Sequence, residues 1–512
     1  MAVMVRVARV TVYFCNALFC NMQRIKTVIQ WLLLLIVPLY FLLMIPGSSA
    51  PVASQAAGSP FAWNQDSLWQ QLENDFASAK KQDSRVADSV IAALFQQAAV
   101  LYNRVDTGTA AVFAPEWERL LQNYFRLAAW VAAVPAQRDS FINYYSSVRR
   151  LVKKQSQQQD ITSKDTRNHI YRVLYGMRAA AEEVLLQTAA IPFNPVMQVQ
   201  TSPSATASAN ILGITVHSGD LLVSRGGAEV SALISRGNNY PGNFSHVALL
   251  YVEEKTRQPH LVEAHIEKGV AIASAEQYIK DRKLRFMVLR PRVNLPQLTA
   301  DPLLPHKAAK AAYEQALSRH IPYDFKMNFN DSTALFCSEV ASLAYRQQGV
   351  QLWQAESAIS SQGVVNWLSD FGVENFVTQM PSDLEYDPQL SVVAEWRDPA
   401  TLMKDHVDNA VMDALLEEAD KGRTIGYNHW QLPMVRILKL YCVIKNYFGN
   451  VGMIPEGMSA TRALKNQYFV AMYTEVRTDT EISVEQFIRQ NGYRPPYWQL
   501  VAMAKKAAAG RR

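Results

Sequence analysis

Hydrophobic spacing changes twice along this chain. Between residues 61 and 192, apolar residues recur three and four apart in DSVIAALFQQAAVLYNRV, WERLLQNYFRLAAWVAAV and YRVLYGMRAAAEEVLLQTAA. That period puts them on one face of a helix, and Gly and Pro are scarce inside each run. The polar stretch KKQSQQQDITSKD reads as a loop or a frayed helix end. The Ser/Ala/Thr-rich TSPSATASANILG then marks a boundary, beyond which the runs shorten. DLLVS, SHVALLYV, HLVEAHI, GVAIAS and LRFMVLR are strand-like and separated by turn-rich segments, as in a meandering antiparallel sheet. A helix is predicted over about 305–319, with Pro305 in its first turn. Another is predicted from Cys337 to near Gly349. The pattern over 352–400 is mixed. Helical spacing returns in TLMKDHVDNAVMDALLEEADKG, LPMVRILKLYCVIKNYF, ATRALKNQYFVAMYTEV and SVEQFIRQ.

These textures divide the chain into a helical domain at 61–195, a strand-rich α+β domain at 205–352 and a mixed, then helical region at 353–512. Ahead of them lies a different kind of segment. WLLLLIVPLYFLLMI carries no charge, follows Arg24 and Lys26, and precedes the small residues Pro46 to Ala50. Basic, then apolar, then small is the order of a secretory signal, and residues 1–56 are read as signal peptide or retained anchor. Met22 is an alternative start, and cleavage after Ala56 is easier than after Ala50, which would leave Pro51 first. Either way the body of the protein is expected outside the cytoplasm, periplasmic or anchored to the inner membrane.

The net charge of +6 is spread along the chain without a dense Lys/Arg block, so no nucleic-acid partner is expected. Four cysteines occur. Cys15 and Cys20 precede the apolar run, which leaves Cys337 and Cys442. A disulfide between these two competes with a buried apolar role for Cys442 and a reactive one for Cys337.

Cys337 carries most of the chemistry. In FNDSTALFCSEVASLAYRQQG a polar segment turns into an amphipathic helix at the cysteine. A thiol there meets unpaired N–H groups and the positive end of the helix dipole, which favours the thiolate. In SHVALLYV, His246 shares a face with Ala248 and Leu250; in HLVEAHI, Glu263 shares one with Leu261 and His265. If the strands pair so that His246 and Glu263 lie together, the carboxylate orients an imidazole that takes the proton of Cys337. N–H groups at the helix start would hold the oxyanion. His265 competes with Glu263 as third member, and His217 is read as a turn cap. His260, Glu263 and His265 do not match zinc spacing, and the RGG at 225–227 lacks the Lys-Ser/Thr of a phosphate loop. No metal or cofactor is expected.

The elements HSGDLLVSR, FSHVALLY, VEAHIEKGV, IPYDFKM and FCSEVASLAY, in that order, resemble the circularly permuted NlpC-type papain-like cysteine hydrolases of the YaeF/YiiX type. The resemblance covers about 211–350, and the five elements together are far more specific than any one. It implies an antiparallel sheet packed on the cysteine helix; the helical regions that flank it here, read from spacing, have no counterpart in the resemblance. It also implies Cys337 as nucleophile, His246 as base and Glu263 as third residue. Asp220, in the opening Gly219–Asp220 turn, and Tyr323, near the cleft, are assigned with Ser245 and Ser338 to substrate binding or support. The expected function is a thiol amidase or peptidase on peptide or cell-wall amides. An acyltransferase or lipid-ester hydrolase with the same triad is the first alternative, and a non-catalytic binding or scaffolding protein the second. The expected partners are a peptide, cell-wall or lipid-derived substrate, and a membrane through the N-terminal segment.

Overall fold

The structure is a computed structural model that describes residues 26, 30–47, 67–107, 115–188 and 192–510. Met22, Cys15, Cys20 and the cleavage positions after Ala50 and Ala56 lie outside the described residues. Residues 30–43 form a helix, α1, whose apolar side chains are exposed. Among the described residues no helix is long and apolar enough to cross a membrane.

Five helices follow: α2 (Ser67–Ala79), α3 (Ser84–Thr107), α4 (Pro115–Ala133), α5 (Arg138–Gln155) and α6 (Lys164–Gln187). Their apolar stripes meet in one core, with Trp117, Tyr124 and Phe141 fully buried. The polar run after Lys153 is where α5 stops, through a short 3-10 turn at Ser156–Gln158, before Lys164 opens α6.

The sheet region contains β1 (Val196–Gln198), the hairpin β2 (Ser208–Ile211) and β3 (Ile214–His217), then β4 (Leu221–Gly226), α7 (Glu229–Arg236), β5 (His246–Val252), β6 (Pro259–His265) and β7 (Gly269–Ser274). Next come α8 (Ala275–Lys280), β8 (Lys283–Pro291), α9 (Pro296–Ala300), α10 (Leu304–Ser318) and α11 (Cys337–Gln347). The short pair β9 (Ser357–Ala358) and β10 (Val377–Thr378) brackets α12 (Gln362–Phe371), and β11 (Leu390–Arg397) follows. Seven strands make one antiparallel sheet in the order β1-β11-β8-β4-β5-β6-β7. The five strands predicted from spacing are all present, as β4 to β8. The expected boundary at 352 is not where this unit ends. β11 pairs with β8 along its length, and the three-residue β1 pairs with β11.

Alternation sorts the two faces. Val247, Leu249 and Val262 pack with Ala308 of α10 and with Val340, Ala341 and Ala344 of α11. Ala248, Leu250 and Leu261 pack instead under the β2–β3 hairpin and Tyr278. Gly219 is fixed by close approach: at φ +96° a Cβ would lie 2.3 Å from Pro305 Cβ, so the turn into β4 sits tight under α10.

The C-terminal region comprises α13 (Leu402–Asp420), α14 (Leu432–Tyr447), α15 (Ala460–Asn491) and α16 (Tyr497–Ala509). The two segments ATRALKNQYFVAMYTEV and SVEQFIRQ are one continuous helix, α15, because no Gly or Pro interrupts the polar stretch between them. Buried ion pairs tie the helical bundle to the sheet. Arg149 of α5 meets Glu385 and Glu395, and Arg178 of α6 meets Glu385. Glu182 of α6 accepts from Arg285 of β8 at 2.5 Å, Arg397 of β11 at 2.8 Å and His406 of α13 at 2.9 Å.

Candidate active site

Strand register assembles the first part of the site. β5 and β6 pair Leu249 with Val262 and Leu250 with Leu261. Continued to the start of β5, that register sets His246 opposite His265, with Glu263 on the diagonal of the same face. His246 Nε2 lies 2.6 Å from Glu263 Oε2, and His265 Nε2 lies 3.0 Å from Glu263 Oε1. One buried carboxylate therefore holds two imidazoles, whose rings are 5.6 Å apart. Glu263 and His265, which competed for one place, are both in the cluster.

The electrostatics follow from burial and from this pairing. Burial alone would raise the Glu263 pKa, but the hydrogen bonds and charge of the two histidines hold it well below the usual carboxylate range. Burial pushes His246 below its ordinary value, against the pull of Glu263. At the more open His265 burial acts the same way, but Glu263 wins and the pKa is raised. The two rings thus titrate apart.

Cys337 is the first residue of α11. Phe336 before it is extended, and its N–H donates to Glu339 Oε2 at 2.9 Å, which fixes the helix entry. The loop leading in is held by Leu335 N–H donating to Pro322 O and Asp324 N–H to Leu335 O. Asp324 in turn accepts from the N–H groups of Lys326 and Asn328. Burial raises Glu339 to about 8 despite the Phe336 N–H.

The thiol differs from expectation in two ways. Burial pushes Cys337 up to about 11, even though the N–H groups of Val247, Ser338 and Cys337 itself favour the thiolate. Desolvation of a sulfur only 5% exposed outweighs the helix start. The resting thiol is neutral. Its contact is with the Ser245 carbonyl, at 4.0 Å, and no hydrogen bond joins Sγ to the His246 ring. The reason is the pleat. α11 packs on the Val247/Leu249 face, while His246 belongs to the Ala248/Leu250 face. His246 opens the strand, however, so ring and thiol line the same cleft.

That cleft has a volume of about 1190 Å³, roomy for a ligand site. Ser245, His265, Tyr323 and Asp324 line it beside Cys337 and His246. Ser338 is fully buried behind the thiol. Tyr323 is raised well above its ordinary value, by burial first and then by the nearby Cys337. Asp220 is elsewhere. It is buried, accepts Arg290 in two hydrogen bonds of 2.7 Å and the His217 N–H at 2.7 Å, and does not line the cleft. Its contacts are those of a strut of the turn, the supporting half of the expectation. His217 Nδ1 lies 2.9 Å from Thr206 O, a local cap. Cys337 and Cys442 are both free, so the competing disulfide is not formed.

The far wall comes from residues that sequence reasoning passed over. Val435 and Leu438 of α14, Met453 to Pro455, Met458, and Leu464, Gln467 and Val470 of α15 complete the cleft. The signal was present in α14, whose apolar residues crowd more than one helix face.

Residues 215–394 match the family model of permuted papain-like amidase enzymes, YaeF/YiiX, C92 family. The match is well under half of the chain and ends in β11, as the sheet does. It supports a cysteine-type amidase or peptidase on a papain-like α+β fold. Neither a curated protein nor a solved structure gives a significant match to the chain.

Proposed function

We propose that the protein is a thiol amidase whose nucleophile is Cys337, with His246 as base and Glu263 as the group that orients it. The observation carrying this reading is the His246–Glu263 pair in the same cleft as a cysteine at a helix start. Glu263 occupies Nε2, which leaves Nδ1 for the thiol. Because pair and sulfur are not hydrogen-bonded at rest, side-chain rotation at the open end of β5 precedes the chemistry. His246 then takes the Sγ proton as sulfur bonds to the amide carbon. The carbonyl oxygen is held by N–H groups at the start of α11. The C–N bond breaks, and the amine leaves with the proton from His246. Water, deprotonated by the same ring, releases the acid and regenerates the thiol.

The substrate amides proposed are those of peptides, including cell-wall peptides, met outside the cytoplasm. The basic, apolar, small order of the N-terminal segment supports that location. The test is a panel of N-acyl amino acid anilides. Turnover by the native chain and none by Cys337→Ala supports the reading; equal turnover by both refutes it.

The same triad on lipid esters or in acyl transfer is a second reading. The apolar wall given by Val435, Leu438 and Met458 favours it. A long-chain adduct on Cys337, seen by intact mass after incubation with lipid, would select it over peptide hydrolysis.

A further inference from the structure

α14 has two apolar faces, and among the described residues only one is covered. Val435, Leu438 and Cys442 face inward, against Ile454, Met458 and Ala463. Met434, Ile437, Leu440, Tyr441, Ile444 and Tyr447 repeat three and four residues apart on the outside, where Met434 is 72% and Tyr447 85% exposed. Phe448 and Val451 extend this surface past the helix end. Isolated exposed apolar residues are ordinary, but a contiguous stripe along a whole helix marks an interface.

The stripe is continuous with α1. Arg436 of α14 donates to Leu43 O at 3.0 Å and Ile45 O at 2.6 Å, and Tyr40 donates to Trp430 O at 2.6 Å. α1 is itself exposed and apolar along its length. The charges of α14 are Arg436, Lys439 and Lys445, with no acidic residue. Arg436 and Lys439 fold back onto carbonyls, so their stems run beside the apolar stripe. Trp430, Tyr441 and Tyr447 are the side chains that settle at headgroup depth. A basic helix with one apolar face exposed and the aromatic residues on it lies in the plane of a bilayer.

We propose that α14 and α1 together form a docking surface for a bilayer bearing anionic phospholipid. The inner face of α14 lines the Cys337 cleft, so docking sets the cleft mouth beside the headgroups. The consequence for substrate rests on the acyl-transfer reading above: the carbonyl attacked by Cys337 belongs to an amide or ester held in the bilayer by an acyl chain.

The test uses the full chain with vesicles of phosphatidylethanolamine and phosphatidylglycerol. Hydroxyl-radical footprinting reads side-chain exposure. Oxidation of Met434, Tyr441 and Tyr447 should fall several-fold in vesicle-bound protein, with Tyr102 of the helical bundle unchanged. Protein that sediments with vesicles through α1 while α14 stays fully oxidised would overturn the proposal. So would protection that rises with protein concentration in the absence of lipid, which marks a second copy as the occupant. The triple variant Ile437→Asn, Leu440→Asn, Tyr447→Asn should lower turnover of a vesicle-borne acyl amide about tenfold. It should leave turnover of a water-soluble anilide unchanged. Equal loss on both would sink the substrate half. If the native chain turns over neither, the acyl-transfer reading fails while the footprint still decides the docking.

Discussion

Two of the buried charge clusters among the described residues are built differently. Between the helical bundle and the sheet, Arg149, Arg178, Arg285 and Arg397 meet Glu182, Glu385, Glu395 and Asp405. His406 also meets Glu182 there, but guanidinium–carboxylate pairs, ionised throughout the physiological range, dominate the cluster and hold the layers together. In the cleft the partners of Glu263 are two imidazoles beside a neutral thiol. Imidazoles, unlike guanidinium groups, exchange protons near neutral pH. Burial, a carboxylate and an imidazole are common to both clusters; what sets the candidate reaction centre apart from the strut is the thiol and the cleft beside its imidazoles.

The sharpest way to break the comparison is at the sulfur. Cys337→Ala should abolish turnover and leave the unfolding midpoint nearly unchanged, read by anilide assay and calorimetry. Glu263→Gln should lower kcat about 10²–10⁴-fold, because the base loses its orientation and its charge support. Glu182→Ala, a carboxylate of the other cluster, should do the reverse. It should cost about 3–5 kcal/mol of stability by removing the buried carboxylate that Arg285, Arg397 and His406 share, with activity per folded molecule retained. A Glu182 variant that folds normally but is inactive would erase the distinction.

Acidity sharpens it further. Glu385 is held down at about 2 by Arg178 and Arg149 in spite of burial. A carboxylate with a depressed folded value contributes stability that is complete above its unfolded value of about 4.5 and is lost as pH falls toward 2. Denaturant titrations should show stability declining across that window. The cleft should respond at higher pH. His246 lies below 6.5, so the acid limb of kcat/KM should have its midpoint under that value. Alkylation of Cys337 by iodoacetamide in the empty enzyme should keep rising toward a pH of about 11. Full alkylation at neutral pH would mean a resting thiolate, against the desolvation argument. The smallest effect is expected at His265. His265→Asn removes only the second partner of Glu263, so its kcat loss should be smaller than that of Glu263→Gln.

How much of this was legible in the sequence depends on the range of the forces involved. Short apolar runs set between turn-rich segments marked β4 to β8. β11 and β1 escaped. β11 lies in the stretch 352–400 whose pattern is mixed, and is placed in the sheet by its distant partner β8; β1 is only three residues long. The face shared by His246 and Glu263 follows from strand geometry and was within reach. The state of the thiol was not. Helix dipole and N–H groups are local, and they pointed to a thiolate; the burial that overrides them comes from residues far along the chain. Asp220 illustrates the same limit. Its turn position was readable, but Arg290, which claims its carboxylate, is set opposite by the β4–β8 pairing. The cleft wall from α14 and α15 is wholly tertiary.

Intact-mass analysis of a single turnover tests the central claim most directly. With an activated acyl ester, the native chain should gain one acyl group on the peptide that carries Cys337. His246→Ala should gain none on the same timescale. Equal acylation of the two proteins, or an adduct confined to another residue, would contradict a thiol activated by the His246–Glu263 pair.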